Sequence, residues 1–151
     1  MLLVAGCGDS APQDDRGPAH RAPPHASPDA KVIRRWADTL RAGDIEGAAR
    51  LFGVPATVAN GESPQRLTTA AGILAFNASL PCGAHLLRTR RREGYTIATF
   101  RLTERRGGDC GAGVGDIAAT AFKLRAGRIV EWLRVPTSSG PTAPPPGSST
   151  S

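Results

Sequence analysis

The sequence predicts an α+β domain in which three helical segments near the N-terminus pack on a mostly antiparallel sheet. The first observation is a change of period, because apolar residues recur at helical spacing up to about residue 79 and alternate from residue 84 onward. The second is that the alternating stretches follow one another, separated by turns and one glycine-rich loop, as in a strand meander. Helices that precede neighbouring strands are typical of the α+β class.

The first helix is predicted to begin at Ser27-Pro28-Asp29. Serine is a good cap, proline fits the first helical position, and the aspartate meets the positive end of the helix dipole. Gly43 is expected to end the helix in a left-handed conformation. One apolar stripe follows from the helical spacing of Val32, Ile33, Trp36 and Leu40.

Two further helices and one short strand are predicted next. The second helix spans Ile45 to Phe52 and is closed by Val54-Pro55, because the residue before a proline disfavours helical backbone. A short strand follows from Ala56 to Ala59. The third helix runs from Thr68 to Ser79, and Pro81 stops it.

The period of two begins at Ala84 and defines the first long strand of the meander. Glu93-Gly94 turns the chain, and a second alternating strand follows from Tyr95 to Leu102. The stretch Arg105 to Gly115 is rich in glycine and is predicted to be a loop. It matches neither a phosphate-binding loop nor a dinucleotide-binding pattern.

A β-hairpin from Asp116 to Val135 completes the predicted sheet. Its turn is Arg125-Ala126-Gly127. Because Gly127 takes a positive φ at no steric cost and Ala126 does not, the sequence favours a type I turn closed by a glycine bulge.

This turn sets the expected pairing of the hairpin. Phe122 would lie opposite Val130, and Thr120 opposite Trp132, on one face of the sheet. The other face would carry Ile117, Ala119, Ile129 and Leu133. Both faces hold apolar groups, so we expect both to be at least partly covered.

Composition restricts the domain to residues 28–136. Ten of the 13 prolines lie within residues 8–28 and 136–151, which predicts a disordered tether at 8–27 and a disordered tail at 137–151. The formal charge of +6 permits binding to nucleic acid or anionic lipid. No nucleic-acid motif accompanies the charge, so no nucleic-acid partner is predicted.

The N-terminal residues 1–7, MLLVAGC, resemble the end of a bacterial lipoprotein signal, although the apolar run is short and lacks a basic start. Cys7 would carry the lipid, and the polar tether would hold the domain off the membrane. This pattern predicts an exported protein anchored to the outer face of the bacterial cell membrane. The alternative is a chance cysteine at the start of a cytoplasmic chain.

Cys82 and Cys110 are the remaining cysteines. In an oxidising compartment we expect them to form a disulfide that adds about 3 kcal/mol of stability. In the cytosol they would stay free thiols. No CxxC pattern is present and His85 is the only histidine in the domain, so neither a metal site nor any other cofactor is predicted.

Three phrases in this order resemble the nuclear transport factor 2-like superfamily, which includes SnoaL-like polyketide cyclases and ketosteroid isomerases. They are Leu40 to Asp44 followed by Leu51-Phe52, then Leu80 to Gly83, then Gly127 to Trp132. The resemblance implies a curved sheet wrapped round the first helix to form a cone with a pocket. It also implies that the outer face of the sheet is a candidate homodimer interface.

Enzymes of this superfamily place acid–base groups inside the cone, and the candidates here are Asp38, His85 and Tyr95. General acid–base catalysis would require them to meet in an enclosed site. Pro55 to Asn60 contains no acidic residue where many enzymatic members have one. Glu131 is expected to be a carboxylate at the dimer face or sheet edge, paired with an arginine.

The sequence therefore favours an exported, lipid-anchored, non-catalytic domain that binds an apolar small ligand or an envelope protein. The expected pocket lining is Trp36, Phe122, Val130 and Trp132. One alternative is a SnoaL-like isomerase or cyclase. A second alternative is a structural module that dimerises through Ile129 and Leu133.

Overall fold

Three α-helices and a six-stranded sheet make up the part of the chain that the computed structural model describes, residues 26–137. The helices pack on one face of a curved, mostly antiparallel sheet, which confirms the predicted α+β class. The predicted lipidation residue Cys7, most of the tether 8–27 and most of the tail 137–151 lie outside the described residues.

Helix α1 spans Pro28–Arg41 and begins and ends as predicted. The Oγ of Ser27 accepts a hydrogen bond from the backbone N–H of Ala30 at 3.2 Å. Gly43 has a φ of +82°, the left-handed conformation that ends a helix at little cost. The buried face of α1 consists of Ala30, Ile33, Trp36, Ala37 and Leu40.

Helix α2 spans Ile45–Ala49 and is shorter than predicted, because strand β1 already begins at Phe52 and runs to Ala59. The Ile129 N–H donates to the Leu51 carbonyl at 2.9 Å, so pairing with the last strand draws the chain out of the helix. Pro55 therefore lies within β1, where the pairing register is irregular, the kind of strand position that tolerates proline.

The short strand β2, Gln65–Leu67, was not predicted, and it pairs antiparallel with β1. Helix α3 follows at Ala70–Ser79, with Thr69 as its cap. The inward residues of α3 are Ile73, Phe76 and Asn77, whereas Leu74 is 38% exposed.

Four long strands complete the sheet in the order β2-β1-β6-β5-β4-β3, with β1 and β6 parallel and the other neighbours antiparallel. These strands are β3 Gly83–Arg92, β4 Tyr95–Thr103, β5 Ile117–Arg125 and β6 Arg128–Val135. The meander and the turn at Glu93-Gly94 agree with the sequence prediction.

The predicted turn of the β5–β6 hairpin was wrong. Arg125 pairs with Arg128, which leaves a two-residue turn in which Ala126 has φ +48° and Gly127 has φ +70°. Two positive φ values define the turn whose twist matches that of antiparallel strands. That match outweighs the cost of about 1–2 kcal/mol for a left-handed alanine.

The predicted register changes with the turn. Phe122 lies opposite Trp132 instead of Val130, and Thr120 lies opposite Arg134. Val130 is an extra residue in β6, between Glu131, which pairs with Lys123, and Ile129, which pairs with Leu124. As a result Ile129 faces the core and is fully buried. A dimer contact through Ile129 is therefore wrong. The outer face still carries Ile117, Ala119 and Leu133, and a homodimer through this face stays a prediction.

Trp36 lies at the centre of the core and joins α1 to both the sheet and α3. Its indole makes edge-on contacts with aromatic rings at centroid distances of 5.6–6.1 Å, namely Phe100, Phe122 and Trp132. The indole N–H donates to the Asn77 side-chain carbonyl at 3.0 Å. The amide of Asn77 in turn donates to the Ile73 carbonyl at 2.9 Å.

The disulfide between Cys82 and Cys110 is present, with a Cα–Cα distance of 4.4 Å, so this prediction is confirmed. It joins the residue before β3 to the loop before β5, across a sequence separation of 28. Closing a loop of this length contributes about 3 kcal/mol by restricting the unfolded chain.

We expect Asn77→Ala to lower the free energy of unfolding by about 2 kcal/mol, because it leaves the buried Trp36 indole N–H without an acceptor. Urea unfolding followed by circular dichroism measures the change. The control is Asn60→Ala, at an exposed loop position, which should change stability by less than about 0.5 kcal/mol. Equal stabilities for the two variants would contradict the role of the Trp36–Asn77 bond.

Candidate functional site

The interior of the cone is filled by side chains. Three of the four predicted pocket residues meet there, because Trp36, Phe122 and Trp132 are 2%, 0% and 3% exposed. Within residues 26–137 they line none of the cavities described below. Val130 lies apart from them and lines a cavity of about 300 Å³ with Pro55 and Thr57.

The interior holds few polar groups. The buried polar and charged residues of the described chain are Asn77, Thr96, Arg105 and Thr120. Arg105 lies near the C-terminal end of α3, where its guanidinium donates to the Ala78 carbonyl at 3.3 Å. None of these four residues is an aspartate, glutamate or histidine, the usual general acids and bases.

The three acid–base candidates lie outside this interior and at separate places. Asp38 is exposed on α1, and its carboxylate accepts a hydrogen bond from Arg41 at 2.9 Å. His85 is exposed on the outer face of β3, opposite Arg101. Tyr95 lies on the same outer face, but at the first residue of β4, whereas Arg101 lies near the end of that strand. The structure therefore brings no two of these candidates together.

A hydrogen-bonded cluster that the sequence did not predict lies on the outer face of the sheet. The Tyr95 hydroxyl donates to Glu131 at 2.6 Å, and the Lys123 ammonium lies 2.9 Å from the other Glu131 oxygen. The ammonium also lies 4.6 Å from the centre of the Tyr95 ring. Glu131 thus pairs with a lysine directly across the hairpin, whereas an arginine partner was expected.

The cluster fixes the charge of its members. The hydrogen bond to Glu131, followed by burial, raises the pKa of Tyr95, and bonds to Glu131 and Tyr95 raise the pKa of Lys123. Burial raises the pKa of Glu131, but the bonds from Tyr95 and Lys123 together outweigh it and lower the pKa. Glu131 is therefore ionised and Lys123 protonated at neutral pH, which describes a stable ion pair and not a poised base.

An apolar cleft of about 400 Å³ opens between α2, α3 and β1. Its inner wall includes Phe52 and Ile73, both almost fully buried. Its outer wall includes Val54 and Leu74, which are 52% and 38% exposed. The described residues that line it are Glu46, Ala49, Arg50, Phe52, Val54, Ala70, Ala71, Ile73, Leu74 and Arg128.

A second, polar cavity of about 470 Å³ lies between α1, α2 and the β5–β6 turn. It shares Arg50 and Arg128 with the apolar cleft. Its lining is Arg35, Thr39, Asp44, Gly47, Arg50, Leu51, Ala126, Gly127 and Arg128. Sequence reasoning missed both cavities, because their residues come from distant segments with no shared motif.

Neither a metal site nor a membrane span is found between residues 26 and 137. No three His, Cys, Asp or Glu residues in that range are grouped as metal ligands. No helix in the same range is long and apolar enough to cross a bilayer.

We expect Glu131→Gln to destabilise the fold by about 1 kcal/mol at pH 7, because the Lys123 ion pair is lost. Since folding lowers the pKa of Glu131, its contribution is present above the usual value of 4.5 and disappears as the pH falls through the folded value. Urea unfolding between pH 7 and pH 3 should therefore show that the free energies of unfolding of the wild-type protein and Glu131→Gln become equal in acid. Glu62→Gln, at an exposed position, is the matched control. A difference in unfolding free energy between the wild-type protein and Glu131→Gln that stays constant from pH 7 to pH 3 would contradict the role of the ionised Glu131.

No family model and no curated protein sequence matches the chain. Solved structures do match it in fold. A proposed polyketide cyclase from Sinorhizobium meliloti has a TM-score of 0.56 and 14% identity, over 70% of this chain and 94% of that one. A proposed ketosteroid isomerase from Kribbella flavida has a TM-score of 0.55 and 17% identity, over 78% and 85% of the two chains.

A third match is an NTF2-like protein of unknown function from Burkholderia xenovorans. It has a TM-score of 0.52 and 14% identity, over 74% of this chain and 87% of that one. Identities this low establish shared architecture and not shared chemistry. The helices packed on the curved sheet of this chain therefore form a nuclear transport factor 2-like fold.

Proposed function

We propose that this chain is a non-catalytic binding domain that holds an apolar small molecule in the cleft between α2, α3 and β1. The observation that carries the proposal is a cleft of about 400 Å³ with apolar walls, next to an interior that side chains already fill. Small-molecule sites usually measure about 300–1,000 Å³ and have mainly apolar linings.

The outer wall of the cleft explains how binding would gain free energy. Val54 and Leu74 are large apolar side chains that remain partly in water. A ligand between them would remove their surface from water, at about 25 cal/mol for each Å² of apolar area. Phe52 and Ile73, held by the core, give the cleft a rigid inner wall, so little order is lost on binding.

The isomerase or cyclase alternative is supported by the descriptions of proteins with the same fold. Such chemistry needs an acid or base within hydrogen-bond reach of an enclosed substrate. Asp38, His85 and Tyr95 lie outside the interior and apart from one another, and none of them lines the apolar cleft. This geometry supports binding over catalysis.

Export and lipid anchoring are part of the same proposal. The Cys82–Cys110 disulfide is the kind of bond that persists in oxidising compartments. The sequence pattern at Cys7 supports attachment to the outer face of the bacterial cell membrane. An envelope protein that docks on the exposed side of the domain stays a prediction.

Intact-protein mass spectrometry of the chain from its native host tests the location. We expect the mass of a diacylglyceryl group on Cys7 and the loss of two hydrogens for the Cys82–Cys110 bond. An unmodified chain with free thiols would contradict both export and anchoring.

We expect Leu74→Glu to weaken binding of the neutral dye N-phenyl-1-naphthylamine at least about tenfold, because a carboxylate would be buried in the apolar cleft. Fluorescence titration gives the dissociation constants. The matched control is Leu87→Glu, because Leu87 is also a partly exposed leucine, at 45%, but lies on edge strand β3.

Tight binding by the wild-type chain and by Leu87→Glu, with loss in Leu74→Glu, supports the cleft as the binding site. If all three proteins bind the dye equally, or if the wild-type chain does not bind it, the proposed function is wrong.

A further inference from the structure

We propose that the ligand is a single-chain amphiphile with an anionic head group, a class that includes long-chain carboxylates and alkyl phosphates. Its alkyl chain occupies the apolar cleft, and its head occupies the arginine-lined polar cavity beside it. The assignment rests on the proposed function and adds the chemical class of the ligand.

The two cavities meet at Arg50 and Arg128, which line both of them. The Arg128 guanidinium donates a hydrogen bond to the backbone carbonyl of Arg50, which holds it at this boundary. A molecule that extends from one cavity into the other must pass these two positive charges. An elongated ligand with an apolar part and a negatively charged part matches an apolar cleft that is followed by an arginine-lined cavity.

Charge in the polar cavity favours an anion. Three arginines from three segments line it, Arg35 from α1, Arg50 after α2 and Arg128 from β6. Among the described residues, Asp44 is the one carboxylate in its lining, and it accepts a hydrogen bond from the Gly47 N–H at 2.7 Å. Guanidinium groups bind carboxylates and phosphates with two parallel hydrogen bonds, so either head group is suitable.

The volume of the apolar cleft determines how many alkyl chains the ligand can have. At about 400 Å³ it lies near the lower end of the usual range for small-molecule sites. Glu46 stands at its edge with its carboxylate 3.7 Å from the Arg50 guanidinium, so a carboxylate already balances part of the charge on that side. One alkyl chain suits this space, and within residues 26–137 neither Arg35 nor Arg128 forms an ion pair.

Isothermal titration calorimetry on the full chain tests the proposal with probes that differ in the head group alone. Dodecanoate and dodecyl phosphate are compared with the neutral dodecanol and the cationic dodecyltrimethylammonium, the ionic probes below their micelle-forming concentrations and dodecanol below its solubility limit. We expect both anions to bind at least about tenfold more tightly than dodecanol, because hydrogen bonds between guanidinium groups and an anion are about twice as strong as neutral ones. Inorganic phosphate, which lacks the chain, should bind far more weakly than dodecyl phosphate.

Arginine variants then locate the head group. Arg128→Gln and, separately, Arg35→Gln should each weaken dodecanoate binding about tenfold. Arg35→Gln should leave dodecanol binding within about twofold, because Arg35 does not line the apolar cleft. The control is Arg88→Gln, because Arg88 is exposed on β3 and lines neither cavity. Circular dichroism confirms folding, and Arg35→Gln keeps the test decisive if Arg128→Gln fails to fold.

The outcomes separate this inference from the proposed function. Equal affinities for dodecanoate and dodecanol, unchanged by both arginine variants, would overturn the proposal of an anionic head group. They would not contradict ligand binding in the apolar cleft. Inorganic phosphate binding as tightly as dodecyl phosphate would overturn the amphiphile. Failure of all four alkyl probes would overturn both proposals.

Discussion

The hydrogen bond from the Trp36 indole to Asn77 joins the two longest helices over the inner face of the sheet. Trp36 is 2% exposed, and a buried N–H without an acceptor costs about 1–3 kcal/mol. Asn77 supplies that acceptor and is itself fully buried. The position of α3 therefore follows from this bond as well as from the packing of Phe76 on Trp132.

Filling the cone has a consequence for function. In a nuclear transport factor 2-like fold the space between the first helix and the sheet could hold a ligand, but here the aromatic rings around Trp36 contact one another across it. Within the described residues an apolar cleft lies at the margin, where short helix α2 and the exposed side of α3 leave Val54 and Leu74 partly uncovered. In our proposal, the arginines at the edge of this cleft determine which ligands fit.

Much of the fold could be predicted from local signals. Ser27, Pro28 and Gly43 fix the ends of α1 because caps and left-handed glycines act over a few residues. The disulfide was predictable from two cysteines and the expected compartment. The hairpin turn was not, because the twist of the paired strands outweighed the preference of Ala126. The cavities depend on how distant segments approach, so no local pattern indicated that Arg50 would lie beside Arg128.

The exchange of the Trp36 indole hydrogen with deuterium, followed by nuclear magnetic resonance, tests the filled cone most directly. The chain has two tryptophans, so its two indole signals can be assigned with a Trp132→Phe variant. We predict that the Trp36 hydrogen exchanges over hours or longer, at the rate of the most protected backbone amides, because only global opening breaks its bond to Asn77. Complete exchange within seconds would show that water reaches the interior, and it would contradict a filled cone.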